Sequence, residues 1–230
     1  MKQGLFSLVA LATLVGCSSA TTPLNQNSQI TEHSSGQILG DATSLYWYTE
    51  KLSSPITASD YVMSGDYGWY KSQYDWDGAQ IQQIKRKGEQ LNSKGKLVDF
   101  DLELRFSSVG EAVYQRYRRD GKVTPMKEEQ ISQLQKEAGA LVESTNSQSD
   151  RGFELIQGYW DGEEFITCNG NKYDSLSFNQ TLPSFVINRL AAFDSYIAFS
   201  GKLKIKSVEV DDLLLLEATN YDCVEKPVFR

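Results

Sequence analysis

Residues 98–106 read Val-Asp-Phe-Asp-Leu-Glu-Leu-Arg-Phe. Val98, Phe100, Leu102, Leu104 and Phe106 fall on one parity, and Asp99, Asp101, Glu103 and Arg105 on the other. A helix would scatter this pattern around its axis. An antiparallel strand sends one parity into a core and the other into water. Such a strand needs neighbours, and the flanking segments supply them. A three-residue loop at 93–95 pairs it with 79–91, placing Lys87 opposite Asp101 and Lys85 opposite Glu103. A four-residue loop at 107–110 pairs it with 111–119. That places Leu104 opposite Val113, Phe100 opposite Tyr117, Asp101 opposite Arg116 and Asp99 opposite Arg118. Both registers bring opposite charges together on the outer face. The row of acids reads as a solvated ladder of ion pairs, each worth under about 1 kcal/mol, rather than as a metal or catalytic site.

The rest of the chain follows the same grammar. Strands are expected at 44–50, at 67–76 before Asp77-Gly78, and at 153–160 and 163–168, a hairpin turning at Asp161-Gly162. Further strands are expected at 173–178, 196–210 and 213–217, the last two joined by Asp211-Asp212. Leu213 to Leu216 form an unbroken apolar run, which suits a strand buried on both faces or a barrel closure. Two helices interrupt the strands. Thr124 as N-cap and Pro125 at the first position open one, with Ile131, Leu134, Ala138, Leu141 and Val142 at helical spacing through about 144. Pro183 opens a short second helix to about 194. The expected class is α+β, mainly antiparallel β, as a twisted sheet or partly closed barrel with two helices. The polar run from Ser144 to Asp150 marks a candidate subdomain boundary near 144–152.

The first residues form an address rather than part of the fold. Lys2 supplies a positive charge, residues 5–14 an apolar run too short to span a bilayer, and Leu14-Val15-Gly16-Cys17 resembles the bacterial lipobox. The resemblance implies a signal peptide over 1–16, acylation of Cys17, and anchoring in a membrane by several acyl chains. Ser18 in place of Asp then implies sorting to the outer membrane, facing the periplasm. Residues 17–39, rich in Ser, Thr, Asn and Gln, read as the lipidated cysteine and a flexible tether, with the β-rich domain over 40–230. On that reading His33, the only histidine, lies in the tether and holds no rigid geometry.

Of three cysteines, lipid takes Cys17 and leaves Cys168 and Cys223. In an oxidising compartment that pair is expected to form a structural disulfide, closing a long loop worth roughly 3–4 kcal/mol. A redox or metal pair is the alternative, although no Cys-x-x-Cys occurs and no histidine lies near in sequence.

Function is far less legible. The chain carries 23 basic and 30 acidic residues, a net charge of −7, which argues against nucleic acid as a partner. No nucleophile elbow, phosphate loop or zinc motif appears, and no cofactor is expected. A two-carboxylate hydrolase stays open as an alternative, since acidic pairs cannot be placed in space from sequence. Aromatic residues carry the binding case: Tyr70, Tyr74 and Trp76 share strand parity, and Trp160 follows in the second half. Exposed, they would stack on a glycan or grip an envelope protein; buried, they would be core.

Several strings together resemble a family of Gram-negative lipoproteins, the domain of unknown function numbered 1481. They are Arg105-Phe106 leading into 110–117, 120–125, 155–162, 182–190 and 194–199. The resemblance spans nearly the whole mature chain and implies a compartment and a class, with no activity attached. A looser likeness, Phe165 to Cys168 with Tyr221 to Cys223, is to periplasmic lysozyme-inhibitor lipoproteins, which are small β-barrels. Their Ser-Gly-x-Arg-Tyr loop is missing here.

Overall fold

The computed structural model describes residues 30–229. Cys17 and the signal peptide expected over residues 1–16 lie outside the described residues. Two sheets and two α-helices build the described part, with antiparallel pairing throughout except at one parallel edge.

The first sheet is an eight-stranded meander in chain order. It comprises β1 (Ile30–Leu39), β2 (Ala42–Lys51), β3 (Ser54–Met63), β4 (Gly68–Asp77), β5 (Gln80–Leu91), β6 (Leu97–Phe106), β7 (Ala112–Arg119) and β8 (Lys122–Thr124). Helix α1 (Glu128–Asp150) follows. The second sheet has the order β11-β10-β9-β13-β14-β12. Its strands are β9 (Glu154–Trp160), β10 (Phe165–Thr167), β11 (Lys172–Tyr173), β12 (Ser175–Phe178), β13 (Ser195–Leu203) and β14 (Ser207–Ala218). Helix α2 (Ser184–Ala192) sits between β12 and β13 in the chain. Among the described residues only β12 and β14 run parallel.

Side-chain parity divides the interior into three layers of apolar contact. On β2, Tyr46 and Tyr48 pack toward α1 with Tyr74, Ile84, Phe100, Leu102 and Leu104, against Leu134, Ala138 and Leu141 of the helix. The opposite parity, Leu45 and Trp47, packs between the sheets with Leu155, Tyr196, Ala198 and Leu214. The far face of the second sheet, including Ile156, Ile197, Phe199 and Val210, takes Val186 and Leu190 of α2. The layers therefore run α1, first sheet, second sheet, α2. The leucine run serves two of them: Leu214 and Leu215 join the seam between the sheets, Leu213 and Leu216 the α2 layer.

The β6 alternation holds: Val98, Phe100, Leu102, Leu104 and Phe106 are all buried. The β5–β6 register is as expected, with Lys87 opposite Asp101 and Lys85 opposite Glu103. The β6–β7 register is slipped by two residues, so Asp101 faces Arg118 and Glu103 faces Arg116. One residue of the slip comes from a longer turn, with Phe106 opposite Ala112, and the other from a bulge next to Arg105. A two-residue slip preserves facing, so charges still oppose charges. Arg116 lies 3.2 Å from Asp101 and 3.6 Å from Glu103.

Other expectations need correction. Residues 30–39 are not tether but strand β1, fully paired with β2. His33, Ser35 and Gln37 point at the polar face of α1 and Ser34 at β9, so the apolar signal of a strand is missing. Strand β3 was not expected either: its small and polar residues, from Ser54 through Asp60, mask a buried Ala58, Ser59 and Val62. Thr124 ends β8, and α1 starts three residues beyond Pro125, at Glu128. There Lys127 is the N-cap and Gln130 reaches back to its N–H (2.9 Å). The helix runs through 144–150 because Thr145 and Gln148 are buried against partners that the sequence does not reveal. The boundary region near 144–152 thus holds the last turns of α1 and the step from one sheet to the next. The β13–β14 turn lies at 204–206, while Asp211 and Asp212 stay inside β14, beside a register shift.

Cys168 and Cys223 form a disulfide across a separation of 55 residues. It fastens the end of the second sheet's hairpin to the C-terminal segment. That segment then crosses the outer face of the first sheet: Pro227 accepts a bond from Ser59 Oγ (3.1 Å), and the Phe229 N–H donates to Gln73 (3.0 Å).

Candidate functional site

The expected aromatic platform does not exist as one surface. Tyr74 is completely buried, and Tyr70 and Trp76 are half-buried against the α1 layer. Trp160 lies in the other layer, its indole N–H donating to the Leu190 carbonyl (3.0 Å). It lines a separate apolar hollow of about 320 Å³ beside α2. Tyr74 and Trp160 are therefore core and layer residues. Of the four, Tyr70 alone lines the groove described next.

That groove, about 500 Å³, opens between the first sheet and the N-terminal half of α1. Its floor is Tyr70, Arg86, Phe100, Leu102 and Tyr117 from β4 to β7. The helix side contributes Met126, Gln130, Gln133, Leu134 and Glu137. Trp69, Glu89, Gln90, Glu129 and the 63 % exposed Tyr67 also line it. The volume falls within the range of small-molecule sites. Gly88 on β5 lies opposite Tyr70 on β4, beside the groove's floor. A Cβ there would lie 2.0 Å from the Trp69 carbonyl oxygen, so only glycine lets β4 and β5 approach this closely.

A buried polar network forms the floor of the groove. Arg86 shares the inward parity of Ile84 and is 8 % exposed. Its Nε donates to Ser72 Oγ (2.8 Å), and its Nη2 donates to Tyr74 Oη (2.8 Å) and to Glu137 Oε2 on α1 (2.7 Å). Tyr74 Oη in turn donates to Asp60 Oδ2 (2.9 Å). The Arg86 guanidinium lies over the Tyr70 ring, 4.1 Å from its centroid. Asp60 is 4 % exposed, and its Oδ1 has no partner among the described residues. Burial pushes its carboxyl above the usual range, against the pull of Arg86 and the bonds from Ser72 and Tyr74. Burial would lower the Arg86 pKa, but Tyr74, Asp60, Tyr70 and Glu137 outweigh it and hold the guanidinium charged. Burial likewise raises the Tyr70 hydroxyl, which stays neutral. A charged donor is thus fixed under an aromatic face, with each neighbour engaged.

Sequence reasoning missed this network, although parity contains it. Placing Lys85 and Lys87 outward puts Arg86 inward, and a charge at a core position of an antiparallel strand demands a partner. Asp60 was hidden with β3. Glu137 sits beside the apolar stripe of α1, where an acid reads as solvated face. His33 is not in a tether: on β1 its Nδ1 lies 2.9 Å from Ser149 Oγ and its Nε2 3.4 Å from Glu50 Oε1. It lies by the C-terminal end of α1, apart from the groove. Among the described residues no group of acids, histidines and cysteines could hold a metal.

A mostly antiparallel β protein with helical covers and one groove lined by aromatic and amide side chains is the class that this architecture defines. The chain belongs to the family described as Protein of unknown function (DUF1481), whose model matches residues 34–228. No curated protein and no solved structure matches it.

Proposed function

We propose that this chain is an outer-membrane-anchored periplasmic lipoprotein with a non-catalytic binding role, and that the groove under α1 is its ligand site. The anchor rests on the Leu14-Val15-Gly16-Cys17 sequence, and the Cys168–Cys223 disulfide suits an oxidising compartment. One observation carries the binding role: a groove of about 500 Å³ whose floor pairs aromatic faces with a buried, charged Arg86. The two acids with raised pKa values, Asp60 and Glu154, do not line the groove, which favours recognition over proton transfer.

Two experiments test the two halves. In the intact chain, radiolabelled palmitate is incorporated and Cys17→Ser abolishes the label; label that survives the substitution removes the anchor. For the groove, the chain from Ser18 onward, which contains every residue of the described fold, is exported without lipid and titrated with the uncharged dye Nile red. Blue-shifted emission is expected, and Gln133→Trp, which places an indole in the groove from the exposed side of α1, abolishes it. Emission unchanged by dye in the parent chain, or binding unaffected by Gln133→Trp, contradicts the site.

A further inference from the structure

The groove's lining is selective about charge and shape. Three carboxylates surround it, those of Glu89, Glu129 and Glu137, against the single guanidinium of Arg86. An anion entering it meets net negative charge and a cation already paired with Glu137. Two of the three acids are also engaged: Glu89 Oε2 accepts from the Trp69 indole (2.8 Å), and Glu137 accepts from Arg86 and from Gln133 Nε2 (3.3 Å). Only Glu137 is balanced by a cation; a bond from a neutral indole leaves Glu89 its charge, so Glu89 and Glu129 together turn an acidic ligand away. An acyl chain fits poorly for another reason: the helix side of the groove alternates Met126 and Leu134 with Gln130, Gln133 and Glu137, whose polar ends a lipid tail would strip of water.

The lining suits an uncharged molecule with one apolar face and a hydrogen-bonding edge. Tyr70, Phe100 and Tyr117 offer aromatic surface on the sheet side. Gln90, Gln130 and Gln133 each make one bond within the protein, to Tyr117, the Lys127 N–H and Glu137, and their remaining amide hydrogens and lone pairs suit a ring of hydroxyls. Gln90 Nε2 already donates to Tyr117 Oη (2.5 Å), which turns one amide and one phenol toward each other at the groove wall. We infer that the groove binds a neutral sugar residue, with the C–H face of the ring on the aromatic floor and its hydroxyls on the amide side. This rests on the groove being the ligand site, and it adds the ligand class.

The test is calorimetry on the unlipidated chain from Ser18 onward with three probes: maltotriose, chitotriose and trigalacturonate. At least one neutral trisaccharide is expected to bind with a Kd below about 1 mM. Trigalacturonate is expected to bind at least tenfold more weakly, because its carboxylates meet Glu89, Glu129 and Glu137. Gln133→Trp is expected to remove sugar binding, and Gln90→Leu to weaken sugar binding at least threefold more than it weakens Nile red binding. Nile red bound in a Gln133→Trp-sensitive way with neither neutral sugar binding leaves the groove a ligand site and overturns the sugar class. Failure of the dye and of the sugars together overturns the groove itself. Trigalacturonate binding as tightly as the neutral sugars overturns the charge argument, and sugar binding indifferent to Gln133→Trp overturns the location.

Discussion

Along α1, the stretch from Leu141 to Ser149 is bolted to both sheets, while the stretch from Ile131 to Gly139 borders the groove through Gln133, Leu134 and Glu137. In the later stretch Thr145 Oγ1 bonds Ser35 Oγ (2.8 Å), and Gln148 donates to the Gly36 carbonyl (2.8 Å) and accepts from Ser200 on β13 (2.9 Å). Ser149 meets His33. The earlier stretch is held by the packing of Leu134 and Ala138, by a long bond from Gln135 to the Gly110 carbonyl (3.4 Å), and by the pair between Glu137 and Arg86. The same helix is thus a structural beam at one end and a cover at the other. A binding site needs a wall that yields a little on a frame that does not, and stability that varies along one element supplies both.

This contrast can be broken by substitution. The largest effect is expected at Arg86→Ala. It takes a buried donor from the hydroxyls of Ser72 and Tyr74 and from Glu137, a loss of about 3–5 kcal/mol in a urea titration. A loss below 1 kcal/mol would mean that the network contributes little to the fold. Gln148→Ala should cost about 1–3 kcal/mol, because the Gly36 carbonyl and the Ser200 hydroxyl each lose a buried partner.

Asp60 gives a test by pH. The unfolded chain releases its proton in the ordinary carboxylate range, about pH 4. The folded chain holds it to higher pH, so between the two values the folded state binds more protons and stability falls as pH rises. Relative to Asp60→Asn, the parent protein should lose stability across that window, by at most about 1.4 kcal/mol per pH unit. A difference that stays flat or grows with pH would show that the carboxyl is not held protonated.

The smallest effect belongs to Glu137→Ala. The carboxylate is about a third exposed, so its pair with Arg86 should contribute under about 1 kcal/mol after solvent screening. If this substitution costs more than Gln148→Ala, the two ends of α1 have been ranked the wrong way round.

The parts of this fold that the sequence makes legible are those in which one face is wholly apolar. Val98 to Phe106 fixed β6, its neighbour β5 and their register. The slip at β7 escaped because a longer turn and a bulge together move the register by two residues, which leaves side-chain facing unchanged. Strands β1 and β3 escaped because their inward residues are polar: Ser35 and Asp60 are buried through bonds to Thr145 and Tyr74, which lie 110 and 14 residues away. The same blindness hid the end of α1, since a polar run from Ser144 to Asp150 reads as a loop until Ser35 and Ser200 are placed beside it. For the site, the aromatics were visible and their exposure was not. Tyr74 and Tyr70 share a parity, yet one is core and the other lines a groove, a difference set by where α1 ends its coverage of the sheet.

Amide hydrogen exchange along α1, with and without Nile red, tests the central claim most directly. The account predicts that amides from Ile131 to Gly139 exchange faster than those from Leu141 to Ser149, and that bound dye slows the first group while leaving the second unchanged. Exchange of the whole helix as one cooperative unit, with no difference when the dye is added, would contradict it.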